Sequence, residues 1–169
     1  MNMKSYRIAV IAGDGIGKEV VPAGIDVLNH AAEHGAFRCE FTPVPWGCDY
    51  YLQQGRMMDD DGIDRLMTFD AIYLGAIGDP RVADHISARE LILPLRQRLG
   101  QWVNLRPMRL LPGISSPLAG RGAADIDMIC VRENSEGEYC GIGGRLHRGT
   151  PQEVAEQTGV FTRHGIERI

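Results

Sequence analysis

"YRIAVIAGDGIGKEV", residues 6–20, decides the fold. Its first half, Tyr6 to Ala12, is a short apolar run rich in β-branched residues and closed by glycines, which reads as a buried parallel strand. Its second half opens a helix. Val21, Ile25, Leu28 and Ala32 follow at spacings of four, three and four, giving one apolar stripe. Pro22 is tolerable only in the first turn of that helix, and Gly35 is the expected stop. The order is strand, turn, helix.

The turn itself admits two readings. Its amides and the helix N-terminus can meet a phosphate or another anion. A tight turn that simply needs glycine explains the same residues as well. The glycines are Gly13, Gly15 and Gly17, a GxGxG spacing and not the GxGxxG of a dinucleotide fold, and Glu40 is a poor match for the acidic residue expected on the second strand. A Rossmann domain is therefore disfavoured. "GAIGDP", Gly75 to Pro80, is equally two-sided. It ends the apolar run "FDAIYLGAIG", where open α/β sheets place ligands, yet Gly and Asp-Pro are also plain turn formers.

Helical and extended segments alternate along the rest of the chain. "FRCEFTPV" sets Phe37, Cys39 and Phe41 against Arg38, Glu40 and Thr42, as a half-buried strand does. "DIDMICVRE" reads as another buried strand, and "GVFTRHGIERI" as a strand followed by the first turn of a helix. "ARELILPLRQRLGQW" is helical in pattern but contains Pro94, so a kink or break is expected there. "MMDDDGID" reads as a helix start with aspartates complementing the dipole, in preference to a metal site. "RLLPGISSPLAGRGAADID" is the longest irregular stretch and fits a surface excursion. A chain that stops as an amphipathic helix begins is expected to be a fragment.

Composition narrows the function. The 169 residues are 44% hydrophobic and 24% charged, as in a globular domain with a sizeable core. The net charge of -4, with basic residues scattered among acidic ones, offers no footprint for nucleic acid or an anionic membrane. The apolar core of the opening segment, Ile8 to Ala12, is too short for a signal peptide or a membrane span, so a cytoplasmic protein is expected. Cys39, Cys48, Cys130 and Cys140 form no CxxC pair and read as reduced thiols. The histidines show no metal spacing; His30 and His34 are four apart but are expected at a frayed helix end beside Gly35.

The arginines are more telling. Arg96 on the presumed helix, Arg106 in "NLRP" and Arg132 in "VRE" stand at element ends. Guanidinium forks match carboxylates with two parallel N–H bonds, so convergence of the three would describe a di- or tricarboxylate pocket. A structural salt bridge is the commoner explanation for any one of them. Tyr139 is either a packed phenol or a proton donor. The polar stretch "RENSEGEY", residues 132–139, is accordingly a solvated loop or the wall of an active site.

In order, "GDGIGKEV", "FDAIYLGAIGDP", "LPLRQRLGQWVNLRP" and "VRENSEGEYCGIGGR" resemble the β-decarboxylating dehydrogenases, the isocitrate and 3-isopropylmalate dehydrogenase family. "WGCDYY", "DHIS", "LLPGISSPLAG", "HRGTPQEV" and "VFTR" look most like its tartrate and D-malate branch. The resemblance covers essentially the whole chain, as the N-terminal part of such a domain. It implies an α/β/α sandwich distinct from the Rossmann fold, a homodimer, NAD as cofactor, a Mn2+ or Mg2+ ion and a 2-hydroxy dicarboxylate substrate. By motif position Arg96, Arg106 and Arg132 would grip substrate carboxylates and Tyr139 would deliver a proton. Ile16, Gly75, Gly78 and Asp79 would lie along the cofactor.

Two departures matter. After "DHIS" the branch usually carries Leu-Trp-Gly, where this chain has Ala88, Arg89 and Glu90. This weakens the substrate assignment and keeps 3-isopropylmalate and isocitrate as alternatives. The chain also ends before the positions of the family's catalytic lysine and metal-binding aspartates, so these residues alone are expected to be catalytically silent. A non-catalytic carboxylate- or nucleotide-binding module is the reading from another class.

Overall fold

In a computed structural model, which describes residues 3–169, the chain divides between Leu99 and Gly100 into two compact units. The first is a parallel sheet with helices on both faces. Strand β1 (Lys4–Gly13) lies in the middle, flanked by β2 (Phe37–Pro43) and β3 (Ala71–Ala76), both parallel to it. Because successive side chains of a strand point to opposite faces, β1 feeds two cores. Ile8 and Val10 pack with Val21 of α1 (Gly17–Gly35), while Ala9 and Ile11 join Trp46, Met57, Ile63, Leu66, Leu91 and Leu95 on the other face. The expected α/β/α layering is thus present in this unit.

The apolar stripe of α1 falls where its spacing predicts: Val21 is buried and Ile25, Leu28 and Ala32 are half-buried, with neighbours exposed. Pro22, expected in the first turn, is instead the sixth residue of the helix and lies in its second turn. The stop differs from expectation, because the helix runs through Gly35 and Ala36 takes the left-handed cap at φ 53°. Strand β2 alternates as expected. Helix α2 (Cys48–Gln54) and α3 (Gly62–Leu66) follow it. The aspartates before α3 do not cap it with their side chains; Asp59 instead accepts hydrogen bonds from Arg65 at 2.6 Å, Trp46 at 3.4 Å and the Tyr50 hydroxyl.

Pro94 breaks its helix as expected, and the break has a defined form. Between α4 (Asp84–Ser87) and α5 (Leu93–Arg98) lies a π-helical turn, Ala88–Ile92, whose wider winding is closed by the Leu93 amide on the Ala88 carbonyl. Proline lacks an N–H and its ring crowds the carbonyl four residues earlier; a π turn just before it removes the need for the missing bond.

The second unit is built from antiparallel pairs. Strand β4 (Val103–Arg109) pairs with β5 (Asp127–Glu133), and β6 (Gly137–Leu146) with β7 (Val154–Val160), before α6 (Arg163–Arg168). The buried strand expected at β5 is instead open. Met128, Ile129 and Val131 are exposed, as is Leu105 on β4. β-branched content reports a taste for sheet, but a two-stranded ribbon cannot cover its own faces. Every fully buried hydrophobic among the described residues lies before Leu99.

Polar bonds hold the second unit where apolar contacts do not. Glu133 accepts from the amides of Ser135 (2.9 Å) and Glu136 (2.8 Å) and pairs with Arg168 at 2.9 Å. Arg168 also lies 5.1 Å from the centre of the Trp102 ring. Glu136 takes the amide and hydroxyl of Thr162, whose own oxygen caps α6 through Gly165.

Candidate functional site

At the C-terminal ends of β1 and β3, the buried carboxylate of Asp14 joins three loops. It accepts from the amides of Cys48 (2.9 Å) and Asp49 (3.4 Å), the first two of α2, and from Gly78 (3.0 Å) in the loop after β3. Its own amide donates to the Ala76 carbonyl at 2.6 Å. Asp14 therefore caps α2 from a distance and complements its dipole. A side chain at Gly47, where φ is 150°, would come within 2.9 Å of the Asp14 carboxylate. Burial and then Asp14 push the neighbouring Cys48 thiol up to about 12, so it is inert.

Around that strut lies an exposed charge chain. Lys18 reaches Asp49 at 2.5 Å, and Arg81 bridges Asp49 and Asp79, each at 2.7 Å. Hydrogen bonds from the Arg81 side chain and amide hold Asp79 down at about 2. Asp79 is thus engaged within the protein. Gly75 belongs to the packing: a Cβ there would lie 2.2 Å from the Ala12 carbonyl. Gly13 and Gly17 likewise answer to close backbone approach, whereas Gly15 and Gly78 face open space and Ile16 is exposed beside them. Of the four residues expected along a cofactor, Ile16 and Gly78 remain on an open surface.

The second unit brings together three of the other candidates. Asn104 on β4 is directly opposite Arg132 on β5, and Arg106, two residues on from Asn104, shares its face, so Arg106 and Arg132 are diagonal neighbours. Arg106 Nε donates to Asn104 Oδ1 at 3.2 Å. An Arg132 Nη2 donates to the Tyr139 hydroxyl, and its guanidinium carbon lies 5.1 Å from that ring's centre. The remaining members of "RENSEGEY" mostly turn inward: Glu133 and Glu136 hold the fold, and Asn134 is buried with Nδ2 on the Gln101 carbonyl at 3.2 Å. Arg96 is half-buried on α5 in the first unit. Arg89 and Glu90 project from the π turn into solvent and Ala88 is half-buried.

Sequence reasoning missed Asp14 and the Glu133–Arg168 pair. Nothing local marks Asp14, because the amides its carboxylate accepts lie 34 to 64 residues away. Among the described residues the one trio of His, Cys, Asp or Glu with ligand atoms mutually close is His30, Glu33 and His34, on α1.

Comparison with known proteins gives this geometry a lineage. The family model described as isocitrate/isopropylmalate dehydrogenase matches residues 7–169. The D-malate dehydrogenase (decarboxylating) of Escherichia coli is 53% identical over 99% of this chain and 47% of its own length. A probable tartrate dehydrogenase/decarboxylase of Bacillus subtilis is 51% identical over 100% of this chain and 48% of its own. The crystal structure of isocitrate dehydrogenase from Methylococcus capsulatus superposes with a TM-score of 0.79 at 26% identity, covering 96% of this chain and 44% of that one. The chain thus spans about half the length of the curated relatives it matches. With the match running from the first strand to the last residue, and with the glycine turn, the π-turn helix and the Arg132–Tyr139 pair in its path, the chain belongs to the isocitrate/isopropylmalate dehydrogenase family.

Proposed function

We propose that the chain supplies the N-terminal half of an NAD-dependent, divalent-metal-assisted dehydrogenase that oxidises and β-decarboxylates a 2-hydroxy dicarboxylic acid such as D-malate or tartrate. The observation that carries this reading is the placement of Arg106, Arg132 and Tyr139 on neighbouring elements of one unit. Two guanidinium groups on one face give a carboxylate its parallel donors and offset its charge. Arg132, bonded to the Tyr139 oxygen, fixes the direction of that hydroxyl, which would protonate the carbon that carbon dioxide has left. Arg96, half-buried on α5 of the first unit, is read as a carboxylate ligand from its place in the motif alone. The names carried by relatives at 53% and 51% identity favour D-malate or tartrate over isocitrate.

Bound NAD would accept the hydride, and the open surface at Ile16, Gly15 and Gly78 suits it, since nothing occupies the space a Cβ would take at either glycine. Gly75 and Asp79, engaged by packing and by Arg81, would support that surface from beneath. Mn2+ or Mg2+ prefers oxygen ligands, and the one His-rich trio among the described residues does not fit it, so its carboxylates would come from the remainder of the protein. The exposed apolar residues of β4 to β7 suit burial against that remainder and a second subunit. No helix among the described residues is long and apolar enough to cross a membrane; a cytoplasmic homodimer fits the reading.

The test is NADH formation, followed by absorbance, from the full-length protein with Mn2+ and each of D-malate, tartrate, 3-isopropylmalate and isocitrate. Turnover with either of the first two is expected, and Arg132→Ala should abolish most of it while leaving the circular dichroism spectrum unchanged. Unaltered kinetics in that variant would remove the site assignment. A folded protein that turns over none of the four would favour the binding-module reading.

A further inference from the structure

The last two turns of α1 carry His30, Glu33 and His34 at spacings that place all three on one helix face. In place of the expected end at these residues, the helix is continuous through Gly35. We propose that these three side chains form a surface site for one divalent transition-metal ion of the Zn2+, Cu2+ or Ni2+ class, separate from any metal used in the dehydrogenase reaction.

Four observations converge on this site. The ligand atoms of the trio lie within 4.8 Å of one another. His34 Nδ1 is 2.9 Å from the His30 carbonyl oxygen; a carbonyl only accepts, so Nδ1 carries the proton and the lone pair lies on Nε2. That is the arrangement in which a metal-bound histidine is oriented by its other nitrogen. His30 Nδ1 lies 3.7 Å from Glu33 Oε2, and the two imidazole centres are 4.5 Å apart, so the donors already cluster. Finally, the C-terminal end of a helix favours a cation.

The donor set selects the ion. Two imidazoles and one carboxylate suit Zn2+, Cu2+ and Ni2+, whereas Mg2+, Mn2+ and Ca2+ seek all-oxygen shells. Three protein ligands leave a tetrahedral ion one position for water. Bonds of about 2.0–2.2 Å draw donor atoms to roughly 3.5 Å from one another. The side chains of His30 and Glu33 are 76% and 71% exposed, so rotation about their own χ angles can close that gap without moving the helix.

The test is calorimetric titration of the untagged 169-residue chain, stripped with a chelator, with ZnCl2 and separately with MgCl2. Its thiols are first alkylated, because the exposed Cys130 would compete for zinc. One equivalent of Zn2+ is expected and no Mg2+. His30→Ala and His34→Ala should each weaken Zn2+ binding by about tenfold or more, with Glu33→Gln weakening it less. Substoichiometric Cu2+ should broaden the ring proton signals of His30 and His34 before those of His85, His147 and His164. Zn2+ binding unchanged in both histidine variants, or no binding together with uniform broadening, overturns the proposal. The variants lie on an exposed face, so circular dichroism should be the same in all of them.

Discussion

The two units of this chain are held together in opposite ways. The first packs both faces of a parallel sheet and buries Trp46, Met57, Ile63 and Leu91 almost completely. The second presents Leu105, Ile129, Leu146 and Val154 to solvent and is knitted by carboxylates that accept amides and hydroxyls. The candidate chemistry divides with them. The open glycine surface belongs to the unit with a core, while Arg106, Arg132 and Tyr139 belong to the one whose apolar strands lack cover. The proposed substrate-binding residues thus ride on a part of the chain that is held chiefly by hydrogen bonds.

The largest expected effect tests the first half of that contrast. Trp46 is 1% exposed and fills the core between the sheet and α3, so Trp46→Ala should cost about 3–5 kcal/mol in urea unfolding of the chain. A loss below roughly 1 kcal/mol would mean that the core collapses around the gap and is less specifically packed than the contacts suggest.

The second half turns on Glu133. Burial pushes its carboxyl up, but the Glu136 and Ser135 amides, the Ser135 hydroxyl and Arg168 together outweigh burial and hold it at about 2, against an ordinary 4.5. The sign follows from linkage. A carboxyl whose folded value is depressed contributes stability that is complete above its unfolded value and is lost as the pH falls through the folded one. The contribution should therefore be present in full above about pH 4.5 and vanish towards pH 2. Glu133→Gln should flatten that acid limb for the second unit only. Titration of the Glu133 side-chain resonance with a midpoint near 4.5 would show that the polar staple is not made.

Sequence alone reached the elements whose periodicity is self-contained. The Val21–Ile25–Leu28–Ala32 stripe, the alternation of Phe37 to Thr42 and the break at Pro94 each depend on local geometry, and each is present. The exposure of β5 was not legible, because Met128 to Val131 carry the signature of a buried strand whichever residues cover it. Asp14 was hidden for a different reason: its partners Cys48 and Gly78 are 34 and 64 residues away, and only the folded chain brings their amides to one carboxylate. Within the site, facing pairs follow from strand register, so Arg106 and Arg132 could be matched only once β4 and β5 were known to pair.

Asp14 offers a smaller effect that distinguishes a strut from a ligand group. Asp14→Asn replaces one acceptor oxygen by a donor that faces amides; the Cys48 N–H keeps the remaining oxygen, while that of Gly78 or of Asp49 loses its partner. The expected cost is about 1–3 kcal/mol. Faster hydrogen exchange confined to the Cys48, Asp49 and Gly78 amides would place that loss in the loops, as a strut requires. Exchange unchanged at those amides would mean that the loops are held by the Lys18–Asp49–Arg81–Asp79 chain instead.

The smallest expected effect is the most direct probe of the uncovered ribbon. Ile129 is 66% exposed in this chain, and exchange of an exposed apolar residue for a polar one away from any special contact usually shifts stability by no more than about 0.5 kcal/mol. Ile129→Ser should therefore leave urea unfolding of the chain nearly unchanged. In the full-length protein the same substitution carries different physics: if β5 is covered there, the side chain leaves an apolar interior, and the cost rises to roughly 1.5–3 kcal/mol, the worth of burying such a side chain. The difference between the two measurements isolates cover supplied from outside the chain, because every contact within it is common to both. Equal small effects in both would leave β5 as a solvent-facing strand in the complete protein, and the stiffness that Arg132 needs to orient Tyr139 would then rest on the Glu133 and Glu136 hydrogen bonds alone.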